Sequence, residues 1–152
     1  MALINYITQV QFDFGALAGV RAECARVGIG RPLICTDRGI VAAGLLQRLV
    51  SALGDVPSFV YDGTPANPTE AAVRQAVVAY RQHHADGLIA LGGGSSIDLA
   101  KGVAIAATHD GPLTHYATIE GGSPRIGAGV APLSAIPTTA GTGSEVARGA
   151  II

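Results

Sequence analysis

A run of three glycines opens the segment whose residue types and spacing best suit ligand chemistry, "GGGSSIDLAK" (Gly92–Lys101). Glycines allow φ > 0 and leave no Cβ between the main chain and a ligand, while the free N–H groups of a following helix face any anion. The spacing fits neither the P-loop pattern, which needs a lysine after its glycines, nor the dinucleotide pattern, which belongs on a first strand-to-helix turn. The residues alone therefore predict a phosphate-binding turn and leave its ligand open.

Ser95, Asp98 and Lys101 follow the glycines at helical spacing. Ser95 is predicted to be the N-cap residue of the helix, and Asp98, three residues later, its capping-box partner. Lys101 lies one turn after Asp98 and can pair with it on the same face. Each prediction has a plain alternative, which is that Ser95 serves only as a cap and that Asp98 and Lys101 are a solvated surface pair.

A second segment, "PTTAGTGSE" (Pro137–Glu145), repeats this pattern after a later apolar run. Thr138, Thr139 and Thr142 offer hydroxyl groups, glycines leave the backbone open, and Thr142 with Glu145 has the spacing of another helix cap. Two such loops at neighbouring strand ends would form the walls of one cleft.

Asp37 ends the apolar run "LICTD". Nicotinamide-binding folds use an acidic residue at a strand end to bind the ribose hydroxyls of the adenosine, and it would repel the extra phosphate of NADP. The other interpretation is a helix N-cap before "RGIVAAG", which suits the same position.

The segments that must position these residues alternate in type. Continuous apolar runs predict strands in "RPLICTD", "PSFVYDG", "DGLIALGGG" and "APLSAIPTTAG". Helical periodicity predicts helices in "ALAGVRAECARVG", "GLLQRLVSALG", "PTEAAVRQAVVAYRQHH" (with Pro68 in its first turn) and "SSIDLAKGVAIAATH". The alternation in "ITQVQFDFG" predicts a short strand or hairpin, and residues 117–133 form a long connection. The pattern is typical of a doubly wound, Rossmann-like α/β fold with a mainly parallel sheet.

The composition argues against several classes of protein. The 152 residues carry a formal net charge of −1, and their basic residues are scattered, which argues against a nucleic-acid partner. No apolar run reaches the roughly 18 to 20 residues that span a bilayer, and "MALINYITQV" lacks the basic start of a signal peptide, so we expect no membrane partner and a cytoplasmic location. Cys24 and Cys35 lack metal-ligand spacing and are predicted to be buried, reduced thiols.

Four motifs in this order, "LICTD", "ANPTE", "GGGSSIDLAK" and "PTTAGTGSE", resemble the iron-containing (group III) alcohol dehydrogenase family. The resemblance covers the whole chain, residues 1–152, as the N-terminal dinucleotide-binding domain of that family. It implies hydride transfer between NAD(P) and a small-molecule alcohol or aldehyde.

The resemblance also implies cofactor contacts, residue by residue. Gly93, Gly94 and Ser95 would hold the pyrophosphate, and Asp98 would lie beside it. The residues expected to line the rest of the cofactor cleft are Thr138, Thr139 and Thr142.

Two further contacts follow from the upstream motifs. Asp37 would meet the adenosine ribose, which favours NAD over NADP. Asn67 of "ANPTE" would approach the cofactor from the neighbouring loop, although a turn residue before Pro68 is the other interpretation.

A divalent metal, iron or zinc, is implied as well, held by an aspartate and histidines of a helical C-terminal domain beyond residue 152. The histidines of this chain, His83, His84, His109 and His115, do not match those ligands and are predicted at helix ends or in loops. The chain alone is therefore expected to bind nucleotide without turnover. Its last residues, "EVARGAII", lack a capping or tail composition, which favours a fragment of a longer polypeptide over a natural end.

Other functions stay open at this point. Maleylacetate reductases usually lack the aspartate seen here as Asp98, and dehydroquinate-synthase-like enzymes typically have a lysine in place of Ser95. A third interpretation is a non-catalytic nucleotide-binding module that ends at Ile152. The substrate and the oligomeric state are open, although a face exposed for a second domain would favour a homo-oligomer.

Overall fold

The computed structural model describes the backbone of residues 2–5 and, with their side chains, residues 8–152. The strands are β1 (Ala2–Asn5), β2 (Gln9–Phe12), β3 (Pro32–Cys35), β4 (Phe59–Tyr61), β5 (Gly87–Gly92) and β6 (Leu133–Pro137). The α-helices are α1 (Val20–Arg26), α2 (Arg38–Ala42), α3 (Leu45–Leu53), α4 (Glu70–Gln82) and α5 (Gly94–Ala106). Short 3-10 helices span Ala16–Gly19, Leu113–Tyr116, Thr118–Glu120 and Ser123–Arg125.

Four strands form one parallel sheet in the order β4-β3-β5-β6. The chain passes from β3 outward to β4 and then crosses to β5 on the other side of β3, so the topological switch point lies between β3 and β5. This arrangement confirms the predicted doubly wound α/β fold. β1 and β2 pair antiparallel as a separate two-stranded sheet. The predicted strand or hairpin in residues 7–15 contains β2, whereas β1 precedes it and Ile7 lies outside the described residues.

Apolar side chains cover both faces of the parallel sheet. In β3, Leu33 and Cys35 pack with α4 and α5, whereas Ile34 packs with α1 and α3. The continuous apolar runs are therefore explained by burial of successive residues on opposite faces. Cys24 and Cys35 are buried free thiols, as predicted.

α4 and α5 approach each other closely at Gly102. A Cβ on Gly102 would lie 2.9 Å from Cγ2 of Val73 and 3.2 Å from Cδ1 of Ile152. α5 is buried on most sides but has only 13 residues. Within the part of the chain that the structure describes, no helix combines the length and the apolar character needed to cross a membrane.

The start of α5 differs from the prediction. The helix begins at Gly94, its N-cap residue is Gly93 in an extended conformation (φ −79°, ψ −168°), and no side chain caps it. The Ser95 hydroxyl instead donates to the carbonyl oxygen of Ala66, and Asp98 pairs with a lysine one turn further along. Asp98 also accepts from the N–H of Ile151. The predicted capping box of Ser95 and Asp98 is therefore wrong, because backbone groups distant in sequence engage both side chains.

Two other predicted helix starts also differ. Thr142 Oγ1 donates to Glu145 Oε2 (3.2 Å) and accepts from the N–H of Ser144 (3.3 Å), but the residues around them form turns rather than a helix. Pro68 precedes the first turn of α4, because the N-cap residue is Thr69. The Thr69 hydroxyl accepts from the N–H of Ala72, the third residue of α4. Local hydrogen bonds of the predicted type thus form, but they do not set the helix bounds that the spacing suggested.

Candidate functional site

A cleft of about 650 Å³ opens at the carboxyl ends of the parallel strands. Loops that follow β3, β4, β5 and β6 contribute to its walls, which places it at the switch point where open α/β sheets bind ligands. Its lining consists of Asp37, Arg38, Gly39, Ile40, Asp62, Gly63, Thr64, Pro65, Ala66, Gly93, Ser95, Ser96, Thr138 and Thr139.

The residues predicted to contact a cofactor fall into two groups in the structure. Those that line the cleft are Asp37, Gly93, Ser95, Thr138 and Thr139. Those outside its lining are Asn67, Gly94, Asp98 and Thr142. The role of each in cofactor binding stays a prediction, but the first group is gathered in one place from three separate loops.

The glycine turn needs its missing side chains for two different reasons. Gly92 has φ 151°, and a Cβ there would lie 2.5 Å from Oγ of Ser96. A Cβ on Gly94 would lie 3.0 Å from Oγ of Ser144 and 3.3 Å from Cβ of Thr142. Gly92 is thus required by its backbone conformation and by the closeness of Ser96. Gly94 is required because Thr142 and Ser144 of the second motif pack against the start of α5.

The second motif meets the glycine turn directly. The N–H of Thr138 donates to the carbonyl oxygen of Gly92 (2.9 Å), and Oγ1 of Thr139 lies 3.4 Å from the position of a Cβ on Gly93. Thr138 and Thr139 are both exposed, so their hydroxyls are available to a ligand. The two sequence motifs therefore form adjoining walls of the same cleft, as predicted from their positions at strand ends.

Asp37 fulfils the local role that the sequence suggested and also lines the cleft. Its Oδ1 accepts from the N–H of Ile40 (3.0 Å) as the N-cap of α2. Its Oδ2 lies 3.6 Å from the position of a Cβ on Gly92, and the residue lines the cleft. Capping uses only one carboxylate oxygen, so the two interpretations of Asp37 are compatible.

Three buried hydroxyl groups near the switch point have no hydrogen-bond partner among the described residues: those of Thr36, Thr64 and Ser96. Thr64 and Ser96 line the cleft, although they are only 8% and 1% exposed. Buried hydroxyls need a hydrogen-bond partner, so these groups at the cleft suit a polar ligand. Sequence reasoning missed both residues, and the available signal was the second serine of "GGGSS", which takes the cleft position once the helix starts at Gly94.

Ser95 has a different environment from its neighbour. Its hydroxyl donates to the carbonyl oxygen of Ala66 in the loop between β4 and α4. This bond joins the start of α5 to the loop that carries Asn67, which is itself exposed. Ser95 thus links two walls of the cleft through its side chain, and its backbone N–H remains at the start of the helix.

Tyr61 supports the β4 wall of the cleft from below. Its hydroxyl lies 3.3 Å from both the carbonyl oxygen of Ala72 and Oε1 of Gln75. Burial raises the pKa of Tyr61, and the nearby Cys35 thiol and Asp62 carboxylate raise that pKa further. The phenol therefore stays protonated near neutral pH, and its hydroxyl joins β4 to α4.

No group of three or more His, Cys, Asp or Glu among residues 2–5 and 8–152 is placed to hold a metal ion. His83 and His84 follow α4, and the His83 ring stacks on Phe59 with centroids 4.2 Å apart. His109 follows α5 and accepts a backbone N–H, and His115 lies in the last turn of a 3-10 helix. These histidines occupy helix ends and loops, as predicted. None of the four lines the cleft.

Comparison with known proteins agrees with this geometry. The family described as iron-containing alcohol dehydrogenase matches residues 8–152. The chain is 61% identical over 152 residues to a 4-hydroxybutyrate dehydrogenase of Cupriavidus necator, which covers 100% of this chain and 40% of the relative. The crystal structure of a 1,3-propanediol oxidoreductase matches with TM-score 0.77 and 32% identity, over 86% of this chain and 34% of that one.

A further solved structure is that of the sulfoacetaldehyde reductase from Bifidobacterium kashiwanohense in complex with NAD+. It matches with TM-score 0.73 and 29% identity, over 87% of this chain and 34% of that chain. The chain thus spans less than half the length of these relatives. Because the family match extends from the second strand of the hairpin to the last residue, the chain belongs to the iron-containing alcohol dehydrogenase family.

Proposed function

We propose that this chain is the NAD-binding part of an alcohol dehydrogenase that transfers hydride between a small alcohol or aldehyde and NAD. The observation that carries the proposal is the junction of the glycine turn with Thr138 and Thr139 in one cleft at the switch point of the sheet. Family membership supports the reaction class, and the NAD+ complex of a structural relative supports the cofactor.

The residues of the cleft have distinct roles in this proposal. Backbone N–H groups of Gly94 and Ser95, at the start of α5, bind the pyrophosphate with Gly93 keeping the approach open. Hydroxyls of Thr138 and Thr139 line the adjoining wall. The nicotinamide, when bound, supplies the hydride acceptor or donor, and this chain orients it and excludes water.

The preference for NAD over NADP rests on Asp37 in this proposal. Its carboxylate would accept from a ribose hydroxyl and repel a 2′-phosphate. Arg38 and Asp62 also line the cleft and are exposed, so the charged side chains of the lining are two acidic and one basic.

The metal and the substrate pocket lie outside this chain in our proposal. We place the ligands of the divalent metal, iron or zinc, in a helical domain beyond residue 152, consistent with the share of the relatives' length that the chain spans. We also place the protein in the cytoplasm, since two free buried thiols suit a reducing compartment. Association into a homo-oligomer is part of the same proposal.

Titration with NADH and NADPH, followed by nucleotide fluorescence, tests the proposal on this chain. We expect saturable NADH binding with a dissociation constant below about 1 mM and weaker binding of NADPH. Added Fe²⁺ or Zn²⁺ with an alcohol and NAD+ should give no NADH. A chain that binds neither nucleotide would refute the proposed cofactor, and turnover by the chain alone would refute the assignment of the metal site to other residues.

A further inference from the structure

Lys101 is an almost buried cation whose three hydrogens all have acceptors. Its side chain is 12% exposed. Its Nζ donates to the carbonyl oxygen of Ser144 (2.6 Å), to that of Gly149 (2.7 Å) and to Oδ1 of Asp98 (3.4 Å). An ammonium group has three donors, so the lysine is fully engaged, and two of its three acceptors belong to the segment after the second motif.

Asp98 binds the same segment from the previous turn of α5. Its side chain is 10% exposed, and its Oδ2 accepts from the N–H of Ile151 (3.2 Å). Asp98 and Lys101 together therefore contact residues 144–151 at three backbone positions. We call these two side chains the α5 clasp.

The segment held by the α5 clasp continues directly from the cleft wall. At its other end, the N–H of Thr138 is bonded to Gly92. Between these points, Thr142 and Ser144 pack within 3.3 Å of the position of a Cβ on Gly94. The loop that carries the threonine hydroxyls is thus held at both ends against the glycine turn, once by the sheet and once by the α5 clasp.

Neither side chain of the α5 clasp lines the cleft. Both oxygens of Asp98 already have partners, one a cation and one a backbone N–H. A buried ion pair is costly to desolvate and adds little stability by itself, so its presence favours a role in holding one specific arrangement. Here that arrangement is the position of the second motif relative to α5.

We propose that Asp98 and Lys101 are positioning residues for nucleotide binding, which hold the Thr138–Ser144 loop over the glycine turn without contacting the nucleotide. The proposal rests on the proposed function, since the bound group is the nucleotide assigned there. It replaces the expectation that Asp98 lies beside the pyrophosphate with an indirect role through the backbone of residues 144–151.

The test combines hydrogen exchange with nucleotide binding in Lys101→Met, which keeps the length of the side chain and removes its donors. Without nucleotide, amide exchange in residues 144–151 should become about tenfold faster or more, because the segment is released from α5. The NADH dissociation constant should rise about tenfold, because the loop is ordered only on binding. Asp98→Asn, which preserves volume, is the second variant if loss of the ammonium prevents folding, and it should show the same two changes.

Arg74→Met is the matched control. Arg74 pairs with Glu70 (2.9 Å) on α4 and donates to the carbonyl oxygen of Gly111 (2.8 Å), so it also joins a helix to a loop, but away from the cleft. This variant should accelerate exchange near Gly111 and leave the NADH dissociation constant unchanged. If the α5 clasp had a purely structural role, Lys101→Met would likewise show faster local exchange and an unchanged NADH dissociation constant.

The outcomes separate the two proposals. Unchanged exchange in residues 144–151 of Lys101→Met would refute the clasp itself. Faster exchange with an unchanged dissociation constant would refute the positioning role, while NADH binding by the wild-type chain would still support the proposed function. Failure of the wild-type chain to bind NADH would refute the proposed function, and exchange would still report on the clasp.

Discussion

The hydroxyl oxygen of Ser96 lies 2.5 Å from the point where a Cβ on Gly92 would be, and Gly92 has φ 151°. The last residue of β5 and the first turn of α5 are therefore packed so closely that only hydrogen fits between them. The glycine thus serves the structure of the turn as well as the access of a ligand.

Gly92→Ala should destabilise the chain by about 1–3 kcal/mol, because the new Cβ meets Ser96 and alanine disfavours this backbone conformation. We expect nucleotide affinity to fall as well, since the turn must shift to relieve the contact. Chemical denaturation followed by circular dichroism measures the free energy of unfolding. Gly129→Ala is the control, because a Cβ there has no neighbour within 4 Å, and stability should stay within about 0.5 kcal/mol of the wild type. Equal stability of the two variants would contradict the packing argument.

Thr64→Val and Thr36→Val test the buried hydroxyls that have no partner. Each change keeps the side-chain shape and removes a hydroxyl that is unsatisfied in the absence of ligand, so we expect the free energy of unfolding to stay the same or to increase by up to about 1 kcal/mol. Thr64 lines the cleft and Thr36 does not. The NADH dissociation constant should therefore rise, by about threefold to tenfold, in Thr64→Val only. Equal affinities of the two variants would mean that the Thr64 hydroxyl is not used by the ligand.

Asp37→Asn tests the choice between NAD and NADP without removing the cap of α2, because the asparagine oxygen can still accept from Ile40. Loss of the negative charge should increase NADPH affinity relative to NADH by about tenfold, which corresponds to about 1.4 kcal/mol. Fluorescence titrations with both nucleotides give the ratio. Asp55→Asn removes a charge that pairs with Arg21 outside the cleft (2.6 Å), and it should leave the ratio unchanged. If Asp37→Asn left the ratio of NADPH to NADH affinity unchanged, Asp37 would not determine the preference for NAD.

The two cysteines should be inert to thiol reagents in the folded chain. Burial raises the pKa of the Cys35 thiol from 9.0 to about 12 and raises that of Cys24 as well, so the reactive thiolates are scarce at pH 8. We expect no rapid reaction with a disulfide reagent under native conditions and two equivalents in denaturant. Fast native modification of either thiol would contradict the burial of these side chains.

The same pKa increase gives a dependence of stability on pH. In the unfolded chain the Cys35 thiol loses its proton near pH 9.0, whereas in the folded chain it keeps the proton until about pH 12. The folded state binds more protons in this window, so stability should fall as the pH rises through it. Cys35→Ala should reduce this slope, and denaturation midpoints between pH 8 and 10.5 measure it. An identical slope in the variant would assign the alkaline loss of stability to other groups.

Much of the fold follows from local patterns. β3 and β5 were predictable because each must bury successive residues on opposite faces, which leaves a continuous apolar run. Gly92 to Gly94 after β5 predicted an open turn, because only glycine readily takes a positive φ and lets another group approach the backbone closely. The position of the cleft then followed from the rule that parallel strands present their carboxyl ends at one edge.

The partners of polar side chains did not follow from local patterns. Capping rules assigned Ser95 and Asp98 to each other, but α5 starts at Gly94, two residues earlier than an N-cap at Ser95 requires, so Ser95 lies inside the first turn. Ser95 then reaches Ala66, Ser96 faces the cleft, and Asp98 reaches the backbone of Ile151.

The amino-acid pattern was therefore sufficient for the four parallel strands, most of the helices between them and the α/β class, and it placed the candidate site at the strand ends. Tertiary structure decided which side chains of "GGGSSIDLAK" face the cleft and which hold its walls. The physical reason is that periodic burial is a local property of each strand and helix, whereas a buried hydroxyl or charge takes the partner that folding brings to it from a distant part of the chain.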